Sequence, residues 1–296
     1  LGSVSKTFVS NGILILNEHG QLSLEDSLAQ YFDDFKNSNI AGKVRIKHLL
    51  SHTSGLPDIR NVSDNFDFFL TAKDEENFAP IKLADSLNFE PGEKFEYSNP
   101  AFNGLALIIE KVTGQKWQKF ISDSIFEPAG MLTSKITDGP YPQEGVAHAY
   151  SLSNGDFKED DYGEYPTFAA AGNGGVWSSV RELAAYEKAI DQNRFLGKEL
   201  TDESRSVFHP VNWADSTGPF ICYSWFIGEN RFLDEENSFG VRFIYHLGDQ
   251  GGFRAFYIAI PEKDILYVGL FNRPPEDLDK IIKKGISLFS KNNWLE

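Results

Sequence analysis

Four short segments rich in β-branched and aromatic residues fill the last third of the chain, and their order constrains the fold most strongly. Turn residues separate them, as in Pro261-Glu262-Lys263-Asp264, which is typical of an antiparallel meander. A segment with helical spacing, from Glu276 to Phe289, follows the last of them. The predicted strands are 220–227, 241–245, 255–260 and 265–271.

The first two-thirds of the chain favours helices instead. An apolar pattern that begins after Ser3 predicts a buried helix over residues 3–17, and Ser23-Leu24-Glu25-Asp26 resembles a second helix start. Further helices are predicted at 100–112, 117–126 and 178–190. A helical block followed by a sheet and a closing helix predicts an α+β fold with two subdomains.

The chain has no internal repeat and no low-complexity linker, so we expect a single domain over residues 1–296. The helical part is predicted at about 18–215 and the sheet with its closing helix at about 216–296. Helix 3–17 is expected at their interface. A cleft between two such parts is a usual place for a binding site.

Composition argues against several classes of partner. The 296 residues carry a formal net charge of −15, which argues against nucleic acid and anionic membrane surfaces. No apolar run approaches the length of a membrane span. A small molecule or a peptide is the expected substrate, and the sequence does not set the oligomeric state. Cys222 is the only cysteine, so no disulfide forms within the chain.

Ser3-Val4-Ser5-Lys6 is the only S-x-x-K in the chain. Positions three apart share a helix face, so the Ser3 hydroxyl and the Lys6 ammonium can meet. A serine becomes a useful nucleophile only when a neighbouring base or cation prepares it. The motif therefore predicts an activated-serine hydrolase, although by itself it also fits a solvated lysine on a surface helix.

Two further motifs carry groups that acyl transfer requires. Tyr97-Ser98-Asn99 is the only Y-x-N, and His246-Leu247-Gly248 is the only H-x-G. Tyr97 is predicted to shuttle a proton, either as a tyrosinate or as a neutral relay to Lys6. Asn99 is predicted to donate to a substrate carbonyl and to orient Lys6.

These three motifs, in this order, resemble the signature of the serine β-lactamase-related family. That family includes class C β-lactamases, D-alanyl-D-alanine carboxypeptidases, D-aminopeptidases and certain esterases. Segments 48–57, 90–92 and 125–131 are also similar to it, so the resemblance covers nearly the whole chain. It implies a β-lactamase/transpeptidase-like, penicillin-binding fold and acyl-enzyme chemistry on an amide, β-lactam or ester. It further implies no cofactor, and a periplasmic or secreted location.

The resemblance also implies roles for individual residues. The backbone N–H groups of Ser3 and Asp249 would form the oxyanion hole, each worth roughly 3 kcal/mol in the barrier. His246 and Gly248 take the place of the lysine and glycine of the alternative K-T-G motif, and a neutral His246 can donate to the Tyr97 oxygen. Leu247 stands where a threonine commonly binds the substrate carboxylate, which favours an esterase or another amidase.

Relatives usually carry early strands ahead of S-x-x-K, and these are absent from the given chain. In the family those strands pair beside the last C-terminal strand. We therefore expect segment 265–271 to be an open or foreign-paired edge in this chain.

Two alternatives remain open at this point. One is a catalytically silent binding protein that keeps the penicillin-binding fold. The other is a zinc hydrolase, because His48 and His52 are four residues apart and could share a helix face. The segment between them has no glutamate, so H-E-x-x-H is absent and we predict no metal site. No G-x-S-x-G occurs either, which disfavours an α/β-hydrolase.

Overall fold

The computed structural model describes residues 1–60, 62, 64–139, 142, 144–159, 168–233 and 240–295, with the backbone alone at 66, 67, 151–153 and 157–159. They form an α+β fold in which helices cover both faces of an antiparallel sheet. The predicted fold class is therefore confirmed.

The sheet consists of β5 (Phe226–Glu229), β6 (Arg242–Gln250), β7 (Phe253–Ile260) and β8 (Ile265–Phe271). The strands lie side by side in that order, and each pair is antiparallel. Within the described part of the chain, β8 pairs with β7 and has no strand on its other side. The edge predicted for this segment is thus observed.

Two of the predicted strand boundaries are wrong. β6 continues to Gln250, beyond the predicted end at residue 245, so the H-x-G motif that was expected just after the strand lies inside it, with Leu247 opposite Phe256. β5 begins six residues later than predicted. Ser224 has a φ of 68°, and the Cys222 amide donates to the Trp225 carbonyl at 2.9 Å, so a tight turn replaces the first part of that strand.

Successive residues of β7 point to opposite faces of the sheet, as strand geometry requires. Ala255, Tyr257 and Ala259 contribute to the larger core, which also contains most of the first helix. Phe256, Ile258 and Ile260 contribute to a second core under the closing helix. The sheet is therefore buried on both faces, and helices supply both covers.

Helices account for most of the remaining regular structure. The predicted helices near residues 3–17, 100–112, 178–190 and 276–289 are confirmed, with shifts of a few residues. Among the described residues, no helix is both long and apolar enough to cross a bilayer. The helices are α1 (Lys6–Glu18), α2 (Ser38–Lys43), α3 (Ile46–Leu50), α4 (Phe66–Thr71), α5 (Asp74–Phe78), α6 (Asn99–Thr113), α7 (Trp117–Ile121), α8 (Glu127–Ala129), α9 (Ala171–Gly174), α10 (Val180–Asp191), α11 (Lys198–Ser204) and α12 (Leu278–Lys291).

The predicted helix after Ser23 does not form beyond a single 3₁₀ turn at Leu28–Gln30. The Asp26 carboxylate accepts the Ser23 amide and the Tyr31 hydroxyl, at 2.8 and 2.6 Å. The Leu28 amide donates to Val44, which is distant in sequence. Backbone groups that would close a helix are therefore committed to local and long-range partners.

Two other segments depart from a purely helical block. The helix predicted over 117–126 is divided, because a π-helical turn at Ser122–Phe126 separates α7 from α8. Two small antiparallel sheets also lie in this part of the chain. They are β1 (Lys135–Ile136) with β4 (Val176–Trp177), and β2 (Tyr150–Ser153) with β3 (Asp156–Glu159).

Candidate active site

Ser3 lies in a 3₁₀ turn, Gly2–Ser5, that leads directly into α1. In a 3₁₀ turn residues three apart lie almost above one another, which brings Ser3 and Lys6 together. The Lys6 Nζ donates to the Ser3 Oγ at 3.0 Å. The predicted pair is therefore formed, and the local turn accounts for its geometry.

Lys6 is completely buried, unlike a lysine on a surface helix. Its Nζ donates to the main-chain carbonyl of Asn173 at 2.8 Å and lies 5.1 Å from the centre of the Tyr97 ring. Burial holds the pKa of Lys6 well below its usual range, and the positive charge of Arg60 lowers it further. Burial therefore favours the neutral amine of Lys6 over its ammonium form.

Tyr97 precedes the N-cap of α6, where the Ser98 hydroxyl accepts the Ala101 amide at 3.3 Å. Its ring stacks on the ring of His52 at 4.3 Å and lies parallel to Phe226 at 6.5 Å. Burial raises the pKa of Tyr97 to about 12, and a hydrogen bond with Ser3 acts in the opposite direction. The phenol is therefore neutral at ordinary pH.

His246 lies on β6, and its ring packs edge-on against Phe226 at 5.4 Å. Burial lowers the pKa of His246 to about 3, and the nearby charge of Lys6 adds to this effect. Its Nδ1 lies 2.6 Å from the Leu247 carbonyl oxygen. The expected bond from His246 to Tyr97 is not formed, since the His246 Nε2 has no partner among the described residues.

The backbone of β6 meets the backbone that precedes Ser3. A Cβ on Gly248 would lie 2.0 Å from the Leu1 carbonyl oxygen, and one on Gly2 would lie 2.8 Å from the Asp249 amide nitrogen. Gly2 also has a φ of 54°, which glycine adopts without strain. Glycine is required at both positions because the two backbone segments lie so close that only a hydrogen atom fits between them. Gly2, the residue before Ser3, therefore lies directly against the backbone of Asp249.

Leu247 and Asn99 differ in how far the structure tests their predicted roles. Leu247 is 39% exposed and lies opposite Phe256, a residue of the core under the closing helix, so its exposure alone does not test the predicted role. Asn99 is the first residue of α6, and the expected contact with Lys6 is not observed. In the described structure the Asn173 carbonyl, and not Asn99, orients the Lys6 amine. Nothing in the sequence pattern marks Asn173, because any residue can supply a main-chain carbonyl.

The two histidines of the zinc alternative do not share a helix face. α3 ends at Leu50, and His52 adopts a φ of 56° beyond it. The His48 Nδ1 accepts the Arg45 amide at 3.1 Å, while the His52 Nδ1 accepts the Ser98 amide at 3.0 Å. Among the described residues, no group of three or more His, Cys, Asp and Glu could hold a metal ion.

His52 instead belongs to the candidate active site, which the sequence reasoning did not recognise. Burial holds the pKa of His52 well below its ordinary value, and the charge of Lys6 contributes. The signal that could have revealed it is the unusual left-handed backbone of a non-glycine residue, but this is visible only in the structure.

A cavity of about 880 Å³ flanks the site, with Leu1 and Gly2 in its wall. Apolar side chains such as Trp177 and Phe253 form much of its lining. Ser3 and Tyr97 are not among its lining residues, so the cavity lies beside the reactive groups and does not contain them.

Comparison with known proteins assigns the chain to a family. The family model described as Beta-lactamase matches residues 1–286, so the chain belongs to the beta-lactamase family of serine hydrolases.

Two curated relatives show how much of the chain this similarity covers. Penicillin-binding protein 4* of Bacillus subtilis (strain 168) is 31% identical over 298 residues, covering 96% of this chain and 63% of that protein. Protein flp of Staphylococcus aureus is 25% identical, covering 96% of this chain and 54% of its own length. The chain thus spans a little over half to under two-thirds of these relatives.

Solved structures show the same fold. The octameric penicillin-binding protein homologue from Pyrococcus abyssi has a TM-score of 0.79 and 27% identity, covering 98% of this chain and 65% of that one. The D-amino acid amidase from Ochrobactrum anthropi SV3 complexed with L-phenylalanine has a TM-score of 0.78, covering 99% and 85% of the two chains. At 19% identity, the latter similarity establishes the fold alone.

Proposed function

We propose that this protein hydrolyses an ester, amide or β-lactam through an acyl-enzyme on Ser3. The observation that carries the proposal is the 3.0 Å contact between the Ser3 Oγ and the Nζ of the fully buried Lys6. A buried amine next to a serine hydroxyl is the arrangement that activates a serine nucleophile.

The protonation states favour Lys6 as the base. Burial disfavours its ammonium form, so a neutral Nζ can accept the Ser3 proton as the oxygen attacks the substrate carbonyl. Tyr97 has a raised pKa, so we propose that the neutral phenol passes a proton to the leaving group and regains one from Lys6. His246 has a lowered pKa and does not supply an imidazolium that would stabilise a tyrosinate.

The tetrahedral intermediate needs donors aimed at its oxyanion. We assign this role to the backbone N–H groups of Ser3 and Asp249. The close approach of Gly2 to the Asp249 amide nitrogen supports the assignment, since it sets β6 directly beside the nucleophile turn. Each donor would contribute roughly 3 kcal/mol to the barrier reduction.

Neutral substrates fit this site better than carboxylates. Leu247, an exposed residue of β6 between His246 and Gly248, offers no hydrogen bond to a substrate. Arg254 does not provide a free cation nearby, because its guanidinium donates to the Gly251 and Phe253 carbonyls and pairs with Asp249 at 2.8 Å. A substrate carboxylate would therefore lose water without gaining a partner.

The name of penicillin-binding protein 4* supports the use of a β-lactam as a covalent probe, even if turnover is slow. The experiment is labelling with a fluorescent penicillin and with a fluorophosphonate, followed by mass spectrometry. We expect an adduct on Ser3 and none in Ser3→Ala. Ser10→Ala is the matched control, because its buried hydroxyl on α1 donates to the Tyr223 carbonyl and takes no part in the chemistry.

An adduct elsewhere, or full esterase activity in Ser3→Ala, would overturn the assignment. Abolition of activity by a chelator, with recovery on adding zinc, would favour the metal alternative instead.

A further inference from the structure

Asp74, the first residue of α5, is a buried carboxylate away from the motifs that define the site. Its Oδ1 accepts the Asn103 Nδ2 at 2.6 Å and the Gly172 amide at 2.8 Å. Its Oδ2 accepts the Trp117 indole N–H at 2.8 Å. The two carboxylate oxygens therefore bind different partners, and substitutions of those partners test each oxygen separately.

The contacts of Oδ1 lead to Lys6 by two short routes. In the first, the Asn103 side chain is held by Asp74, and its Oδ1 accepts the Asn173 Nδ2 at 2.9 Å. In the second, Asp74 binds the amide of Gly172, the residue bonded to Asn173. The Asn173 carbonyl is the group that accepts the Lys6 Nζ.

Packing leaves this arrangement little freedom. A Cβ on Gly172 would lie 2.9 Å from the Ala106 Cβ and 3.0 Å from the Phe102 carbonyl oxygen, so α9 is pressed against α6. Asn103 and Asn173 are buried, and buried amides cost free energy unless they are hydrogen-bonded. Both amides have a hydrogen-bond partner within the network, which links Asp74 to Asn173 through Asn103.

We infer that Asp74 is a positioning residue of the active site, which fixes the Asn173 carbonyl against Lys6 through Asn103 and Gly172. The inference rests on the proposed function of Lys6 as the base. Without this anchor the Asn173 carbonyl would move, and the flexible lysine stem would no longer hold its Nζ at the Ser3 hydroxyl.

Loss of the anchor also changes the titration of Lys6. The Asn173 carbonyl stabilises the ammonium form by accepting a hydrogen bond from it, so loss of that carbonyl lowers the pKa of Lys6. The other polar or charged groups that face Lys6 remain in place. They are Ser3, Tyr97, His52, His246 and Arg60.

The first test compares Asp74→Ala with Trp117→Phe, using single-turnover acylation by a p-nitrophenyl ester. Asp74→Ala removes the contacts of both oxygens, and we expect the acylation rate constant to fall about tenfold, with the half-saturating concentration changed less than about twofold. Trp117→Phe removes only the Oδ2 contact. We expect it to lower Tm while keeping the wild-type rate.

A rescue variant adds a sharper comparison. All partners of the Asp74 oxygens are N–H donors, so in Asp74→Asn the amide NH₂ faces at least one donor and a hydrogen bond is lost. In Asp74→Asn combined with Trp117→Phe, the amide oxygen can replace Oδ1 and its NH₂ no longer meets the indole. We expect this double variant to recover most of the rate that Asp74→Ala loses.

Asn103→Leu tests the first route even if Asp74→Ala fails to fold. It retains the Asp74 carboxylate, so a changed pH profile reports on Lys6. We expect about a tenfold slower acylation and an acid limb shifted to lower pH. A wild-type rate and an unshifted limb in folded Asn103→Leu would overturn the inference. Those results, with Ser3→Ala inactive, would leave the proposed function standing, whereas an active Ser3→Ala would overturn that function itself.

Discussion

The ring of His52 lies face to face with the ring of Tyr97, with centroids 4.3 Å apart and planes inclined by 27°. The same histidine accepts the Ser98 amide through its Nδ1. His52 thus contacts Tyr97 through its imidazole ring and Ser98, the next residue, through its Nδ1. The left-handed backbone of His52, with a φ of 56°, directs the side chain to this position.

Two substitutions separate these effects. His52→Asn keeps a side-chain oxygen and tolerates the left-handed backbone, but it removes the ring. An aromatic pair is worth about 0.5–1.5 kcal/mol, so we expect acylation to slow by up to about tenfold as Tyr97 loses its support.

His52→Phe keeps a ring against Tyr97 but leaves the buried Ser98 amide unpaired. We expect it to lose about 1–3 kcal/mol of stability while its acylation rate stays within a few fold of wild type. Chemical denaturation and burst kinetics distinguish the two variants. Equal rates in both would show that the stack does not support Tyr97.

The pH dependence of acylation should show an acid limb only. Because burial lowers the pKa of Lys6, the neutral base persists to lower pH than in an exposed lysine and is lost as pH falls through that lowered pKa. Tyr97, with a pKa of about 12, should produce no alkaline limb between about pH 8 and 10. Stopped-flow acylation from pH 4 to 10 measures this profile.

Tyr97→Phe and Lys6→Arg identify the group behind the acid limb. Tyr97→Phe should lower the plateau and leave an acid limb, because Lys6 still titrates. Lys6→Arg should lose about 10²- to 10⁴-fold in rate, since a guanidinium stays protonated. An acid limb that vanishes in Tyr97→Phe would identify tyrosinate as the base.

Much of the sheet could be predicted because its strands are short, β-rich and separated by turn residues. Segment 265–271 matches β8 in full. The S-x-x-K spacing predicted that Ser3 and Lys6 meet, since a contact between residues three apart depends on local geometry alone. Tyr97 and the buried face of β6 reach Ser3 and Lys6 only through the tertiary fold. The expectation that these groups lie together came from the family resemblance.

The errors have a common physical origin. The segment after Ser23 has helix-start residues, but the Leu28 amide donates to the Val44 carbonyl, and the carbonyls of Asp26 and Leu24 accept amides from residues 46 and 47. Lys6 was expected to meet Asn99 by motif, whereas the fold offers a main-chain carbonyl from Asn173. Asp74 resembles any acidic residue at a helix start until the structure shows it buried against Gly172 and Trp117. Long-range hydrogen bonds of this kind leave no periodic signal in a sequence.

The buried carboxylate of Asp74 should make stability depend on pH. Burial raises the pKa of Asp74 to about 6, and the charge of Asp138 contributes in the same direction. Between about pH 4 and 6 the folded state keeps a proton that the unfolded state has released. The folded protein therefore loses stability as pH rises through this window, by about 3 kcal/mol from this one group.

Urea denaturation of the wild type and of Asp74→Asn, at pH steps from 4 to 7, isolates that contribution. The other titrating groups are shared by both proteins and cancel in the difference. We expect the free energy of unfolding of the wild type to fall relative to that of the variant as pH increases. A difference that stays constant with pH would mean that Asp74 titrates normally despite its burial.

Leu247 should make the protein selective for neutral substrates. Its side chain is 39% exposed on β6, next to the buried His246 and Gly248, and it offers no donor to a substrate carboxylate. A hydrogen bond to a charged group is worth about 1.5–3 kcal/mol, so carboxylate-bearing substrates should react roughly 10- to 100-fold more slowly than a threonine at this position would allow.

Leu247→Thr, assayed on nitrocefin and on a neutral p-nitrophenyl ester, tests this directly. The new hydroxyl should raise kcat/KM for nitrocefin and leave that for the ester nearly unchanged. Leu247→Val is the matched control, because it shortens the side chain to the size of threonine without adding a donor. If valine and threonine improve nitrocefin turnover equally, space and not hydrogen bonding limits the reaction. Efficient nitrocefin hydrolysis by the unmodified protein would contradict the predicted selectivity, because the exposed leucine would then impose no penalty on a carboxylate.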